Sequence, residues 1–306
     1  MKLQALITFR AWRIQRKSRV IILEVVGAAI WSGAMTALVP LVLVAIAFCC
    51  YFFYRQRRDD WVQRKPFPAH WLPYLNAGLP IYEALSEAEQ TRLRKLIQLF
   101  IARKRFYGCE GLVITDEVRV TVASQACLLL VNQNGAVYPE LKSVLIYPAA
   151  FRVVRDQHNE DGTVAHAGHH LSGESWSNGK VILSWDDVEK GVRNFSDGHN
   201  VALHEFAHQL DSASGSTNGA PFLRDNSYQS WAIIFSENFE DLRTRTLQKK
   251  KSVMDSYGTT NPAEFFAVAT ETFFEKPNEL YKRRPELYDE LSQYYQLDPR
   301  QWHGSD

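Results

Sequence analysis

The chain has almost no excess of charge: 35 lysines and arginines stand against 34 aspartates and glutamates in 306 residues, a formal +1. A protein held on nucleic acid by phosphate contacts needs a cationic surface that displaces counterions. No direct nucleic-acid partner is therefore expected. Cysteine is equally sparse. Cys49, Cys50, Cys109 and Cys127 show no CxxC pairing and two of them lie in an apolar run, which leaves neither a disulfide framework nor a thiolate zinc site. Charge is missing altogether from residues 25–54.

That uncharged stretch is the first feature present rather than absent. A bilayer core of about 30 Å is crossed by about 20 apolar residues, so the stretch is long enough to span. A cleaved signal would have a shorter apolar core and a small-residue cleavage site. Here the run ends in Tyr51-Phe52-Phe53-Tyr54 and then Arg55-Gln56-Arg57-Arg58. Residues 1–19 are read as a basic leader and residues 20–54 as a single-pass transmembrane helix contacting the membrane. Pro40 and Glu24 leave a tight hairpin as the alternative. Lysine and arginine are nearly balanced on the two sides, so charge does not set the orientation.

Residues 55–79 read as a linker rich in proline and aromatics, extended over a domain surface, because Pro66, Pro68, Pro73 and Pro80 preclude a continuous helix across 59–85. The domain proper is expected over 80–306. Ser86-Glu87-Ala88-Glu89 is a capping box that opens a helix through about Arg105, with Leu93, Leu96, Ile97 and Phe100 on one face. Val118 to Val131 fits helix or strand by periodicity, and its Ala, Gln and Leu content favours helix. Strands are expected at Ser143–Tyr147, Phe151–Val154 and Val181–Trp185. The polar segment between the last two, with His158, His166, His169 and His170, is expected as a loop that is either solvated or reaches a metal. Helices, short strands and helices again make an α+β domain.

The segment with the clearest chemistry is His204-Glu205-Phe206-Ala207-His208, followed by Gln209-Leu210-Asp211. On a helix, positions four apart share a face, so both imidazoles can reach one ion with Glu205 beside them. Such a pattern arises by chance in roughly one chain in fifty of this composition, so its context matters. The surrounding Val201, Ala202, Leu203, Phe206 and Leu210 suit a buried helix, with Asn194, Ser196 or Asp197 as its cap. Buried rings need partners, and a metal satisfies both. Further on, Asn261 is a good N-cap, Pro262 occupies the favoured first helical position and Glu264 falls three after the cap. Glu264 is thus either a capping carboxylate or a third metal ligand brought by a later helix. Asp211 either orients a ligand ring or sits exposed at a helix end. The strand Val181–Trp185 is a candidate for edge addition of an extended peptide.

Taken together, the His204–Asp211 segment, Gly173-Glu174-Ser175-Trp176, Val181–Trp185, Tyr257 and Asn261-Pro262-Ala263-Glu264-Phe265-Phe266-Ala267 closely resemble the Mlc titration factor A family of zinc peptidases, over about residues 80–300. The resemblance implies a zincin-like metallopeptidase domain, similar to the catalytic domain of anthrax lethal factor, with helices around a small mixed sheet. It implies Zn2+ held by His204, His208 and Glu264, Glu205 as general base and Tyr257 as oxyanion stabiliser. His166 lies near the place where the family carries a further metal-contacting histidine, although the local spacing differs by a residue. Glu271, seven after Glu264, is left as an outer hydrogen-bonding residue. The implied activity is hydrolysis of a peptide or protein substrate, with aminopeptidase action as one form of it, by a catalytic domain in the cytoplasm. The family's name implies the alternative: a regulator, weakly catalytic or not at all, that sequesters a transcriptional repressor. The anchor is a departure, since better-known members are soluble.

Overall fold

The computed structural model describes residues 40, 42–51, 53–54, 57–133, 135–149, 151–158, 164–171, 173–176, 179–223 and 228–303, without the side chains of 151–158, 164–171 and 173–176. The chain divides into two compact units, Met1–Trp61 and Val62–Asp306. In the first, every described residue from 40 to 61 is helical (α1). Among the described residues, no helix is long and apolar enough to cross a membrane. Residues 1–39, which hold the basic leader and most of the expected span, lie outside the described residues.

In the second unit the proline-rich segment differs from the extended surface chain expected of it. It winds into 3-10 turns at Ala69–Trp71 and Tyr82–Ala84 around a helix, α2 (Leu72–Gly78). Pro73 lies in the first turn of α2, where no intrahelical N–H is needed, so it starts a helix instead of preventing one. Leu75, Leu79, Ile81, Tyr82 and Leu85 are core residues.

Ser86 and Glu89 form the reciprocal capping box, and α3 (Glu87–Arg103) buries Leu93, Ile97 and Phe100. The chain then turns into β1 (Arg105–Gly108), a short and largely exposed strand that periodicity does not announce. Thr115 caps α4 (Asp116–Leu128), which is helical as its composition suggests and almost wholly buried. Four strands make a mixed sheet in the order β1, β2 (Ser143–Tyr147), β6 (Lys180–Ser184), β5 (Gly173–Trp176). The first three are parallel, and β5 runs antiparallel to β6. The inward positions Val144, Ile146, Val181 and Leu183 are buried, with Val144 opposite Val181 and Ile146 opposite Leu183.

Three strand expectations change here. Trp185 begins α5 (Trp185–Arg193), because Ser184 accepts from the Asp187 N–H and caps a helix there. The histidine-rich segment is not a loop: β3 (Phe151–His158) and β4 (Val164–Leu171) pair as an antiparallel hairpin and β5 follows. The strand before α5 is also not an edge, since β6 is paired on both sides; the edge strands are β1 and β5.

The metal-motif helix α6 (Val201–Ser212) and the later helix α8 (Pro262–Glu275) pack on each other. Phe206, on the face of α6 away from the histidines, is fully buried between Phe100 and Tyr138, with ring centroids 5.7 and 5.2 Å away. Almost every residue of α8 is buried, the pattern of a helix surrounded by protein. Phe235 of α7 (Tyr228–Leu247) packs edge-on against Phe265. The chain closes with α9 (Pro277–Arg283) and α10 (Pro285–Tyr295). All four cysteines are free.

Candidate metal centre

Asn200 starts α6, not the residues before it: its side chain accepts from the Leu203 N–H at 3.0 Å. Asn194, Ser196 and Asp197 instead bond among themselves in the preceding turn, with Asn194 donating to Asp197 at 2.7 Å. From this cap, His204, Glu205 and His208 fall on the side of α6 that meets the first turn of α8. Asn261 caps α8 by accepting the Glu264 N–H at 3.0 Å. The Glu264 carboxylate turns away from that cap and towards the rings.

His204 Nε2 lies 2.9 Å from Glu264 Oε2, His208 Nε2 lies 3.3 Å from the same oxygen, and the two Nε2 atoms are 3.2 Å apart. On its other nitrogen, Nδ1, His204 donates to Glu271 Oε1 at 2.7 Å. With Nδ1 carrying the hydrogen, the neutral ring points a lone pair from Nε2 at a carboxylate oxygen and at a second imidazole. A carboxylate oxygen and two imidazole nitrogens converging this way are held together by a shared proton or by a cation. A tetrahedral ion with bonds of about 2.0–2.1 Å holds its ligand atoms about 3.3 Å apart, close to the separations found. The two histidines and one carboxylate thus fit a metal in donor type and spacing, with every ligand atom within 4.8 Å of the others.

The electrostatics agree. Burial opposes charge on His204, but Glu271 and Glu264 outweigh it and hold the ring's pKa well above the histidine range. Burial works against ionising Glu264 too, yet hydrogen bonds from both histidines bring its pKa down to about 2. A metal ion would replace the proton in this arrangement, since ligands must be deprotonated to bind.

Glu205 is buried, with Oε2 lacking a hydrogen-bond partner among the described residues. Burial pushes its carboxyl up to about 7, against the pull of His204 and His208. Tyr257 sits on a 3-10 turn, Ser256–Thr259, with its ring centroid 5.9 Å from that of His204. It is half exposed, as a group that meets a ligand should be. Gly258 lets the turn lie close to its neighbours: a Cβ there would come within 3.2 Å of Leu242 and 3.3 Å of Val268 on α8, and these would have to give by a few tenths of an ångström.

Asp211 does not orient a ring. It is buried, and Oδ2 accepts the Gly219 N–H at 2.7 Å, while Oδ1 and His208 Nδ1 are both without hydrogen-bond partners among the described residues. His166 is in β4, opposite Asp156 in the hairpin register, and its side chain lies outside the described residues.

Two carboxylates stand behind this layer: Glu271 is the outer hydrogen-bonding residue expected of it, and Glu275 has no counterpart in the sequence reading. Glu271 Oε2 accepts the Asn200 N–H at 2.5 Å, so one carboxylate fixes both the His204 ring and the start of α6. Glu275, buried, accepts from the Gly198 and His199 N–H groups at 2.9 and 3.1 Å and from the Asn200 side-chain amide at 3.1 Å. For Glu275 the one available signal is its i, i+4 spacing from Glu271 on a mostly apolar helix.

Comparison with known proteins agrees with this geometry. A functionally uncharacterised protein of Synechocystis sp., slr2042, is 42% identical over 271 residues, covering 86% of this chain and 98% of that protein. Mlc titration factor A of Yersinia pestis (strain Pestoides F) is 30% identical over 256 residues, covering 80% of this chain and 93% of its own length. The profile of the glucose-regulated metallo-peptidase M90 family matches residues 53–296, a span that includes the whole His204, His208 and Glu264 cluster. The chain belongs to the glucose-regulated metallo-peptidase M90 family.

Proposed function

We propose that this protein is a membrane-anchored, zinc-dependent peptidase whose catalytic unit faces the cytoplasm. The observation that carries the reading is the convergence of His204, His208 and Glu264 beside a buried, unpartnered Glu205 carboxylate oxygen. A structural zinc site is normally closed by four protein ligands and has no use for a base, whereas three ligands leave a position for water. When bound, the ion supplies Lewis acidity and lowers the pKa of water towards neutrality. Glu205 takes a proton from the attacking water and passes it to the leaving amine. The Tyr257 hydroxyl donates to the carbonyl oxygen as charge develops there. Glu271 holds the His204 tautomer through Nδ1. An extended peptide chain would add by main-chain hydrogen bonds to β5, the edge strand that lies against α6.

A second reading rests on the name of the Yersinia relative, a titration factor for Mlc. In that reading the same surface binds a transcriptional repressor and hydrolysis is secondary. One experiment addresses both: full-length protein is assayed against a peptide library with and without chelator, beside Glu205→Gln. The variant should keep its zinc and lose hydrolysis by about 10²–10⁴-fold. Near-normal turnover at full zinc occupancy would overturn the peptidase mechanism. Peptides with free and blocked N-termini in the same assay separate aminopeptidase action from internal cleavage.

A further inference from the structure

Where α7 ends and α9 gives way to α10, a recess of about 250 Å3 is lined by Arg245, Lys251, Ser252, Val253, Arg283 and Arg284. It holds four cations and no carboxylate on its lining. Asp241, one turn before Arg245, pairs with Arg245 Nε at 2.7 Å and with Arg284 Nη2, which sets the two guanidinium groups side by side. Their remaining N–H groups, like the whole of Arg283 and Lys251, have no ion-pair partner among the described residues. Ser252 Oγ accepts the Met254 N–H at 3.2 Å, leaving its own hydrogen to donate.

The backbone holds this shape at a cost. α7 ends with Lys250 N–H donating to Arg245 O and Lys249 N–H to Thr246 O, the paired bonds of a Schellman turn. Its left-handed position, usually glycine, is Lys249 with φ of 53°. A side chain there is strained, because its Cβ crowds the following carbonyl oxygen. The run Lys249-Lys250-Lys251 thus keeps a lysine at the one place where glycine would be cheaper.

Basic residues commonly offset the negative end of a helix, and two helices end here. That accounts for part of the charge. Each helix end supplies roughly half a negative charge, the start of α10 returns roughly half a positive one, and with Asp241 the total is about −1.5 against four cations. About 2.5 positive charges are left over, enough to balance one phosphate dianion. Planar guanidinium groups with free N–H pairs match the oxygen spacing of a phosphate, and a lysine and a hydroxyl complete the donor set.

We propose that this recess binds the phosphate dianion of a small phosphomonoester, a site independent of the peptidase reading. The test is isothermal titration of the full-length protein with inorganic phosphate and with glycerol 3-phosphate, in chloride buffer of constant ionic strength. Saturable binding of both is expected. Lys251→Gln with Arg283→Gln, two exposed positions whose loss leaves the core intact, should weaken it by about tenfold or more. Lys95→Gln with Arg243→Gln, the same charge change outside the recess, should leave it unchanged. Absence of saturable binding would overturn the site. So would undiminished binding by the recess variant, which would put the anion elsewhere, or an equal loss in the control, which would reduce the effect to net charge.

Discussion

Glu264 and Glu271 both reach His204, on opposite nitrogens of its ring. Their seven-residue spacing on α8 puts them on nearly the same face, about 10 Å apart along the axis at 1.5 Å per residue, with the imidazole between them. Glu264 shares its oxygen with His208 as well, so it belongs to the convergent set, whereas Glu271 touches the nitrogen that faces away from it. Glu264→Ala should therefore lower zinc affinity markedly by removing a ligand. Glu271→Ala leaves the three ligands in place and loosens one ring, a loss within the roughly 10–100-fold seen for outer partners of metal ligands. Zinc titration against a competing chelator ranks the two variants, and a larger loss from Glu271→Ala would exchange their roles. Both titrations belong at the same pH, because the proton held on His204 competes with the ion and apparent affinity falls as pH falls.

At the scale of elements, the site depends on how closely the end of α6 approaches the start of α8. The loop between α6 and α7 is drawn in by Asp211, which accepts the Gly219 N–H, and by Trp231, whose indole donates to Gly219 O at 2.9 Å. Gly219 has φ of 81°, and a Cβ there would lie 2.4 Å from the Pro262 carbonyl oxygen. Gly215, in the same loop, has φ of 103° with nothing near its missing Cβ. Gly215→Ala should thus cost only the backbone penalty of about 1–2 kcal/mol. Gly219→Ala adds an overpacking cost of about 1–3 kcal/mol and should push α8 away from α6. Urea unfolding of the two variants measures the difference; equal losses would mean that the loop moves freely on α8. The same elements show which parts of the fold are legible in the sequence. Helices announced by a side-chain cap, such as those after Ser86, Thr115 and Asn261, fall where their caps put them. The sheet is harder to read, because β1 is four residues of mostly exposed chain and β4 and β5 lie in a polar segment whose pairing, not its composition, makes it strand. In the site, residues sharing one turn of one helix are readable from spacing. Asn200 and Glu275 are not, since Glu275 accepts from the Gly198 and His199 N–H groups and from the Asn200 side-chain amide across 75 to 77 positions, which no local pattern encodes.

The whole molecule pairs this buried centre with an N-terminal unit of opposite character. In Val62–Asp306 large apolar side chains gather into one core, whereas in Met1–Trp61 the described apolar residues face outward: Leu43 is 60% exposed, Val44 67%, Phe48 69% and Tyr54 67%. A run of exposed large apolar side chains on one helix is far more than a soluble monomer carries and calls for an apolar covering. Lipid supplies it if residues 20–54 form the proposed anchor, whose 25–54 stretch carries no charge. The full-length protein should then stay with membranes through carbonate extraction, at its uncleaved mass. A shortened, soluble form as the main product would remove the anchor. Orientation is a separate outcome: a reporter fused after Asp306 should be active on the cytoplasmic side, and activity confined to the outside would reverse the proposed placement while leaving the anchor intact.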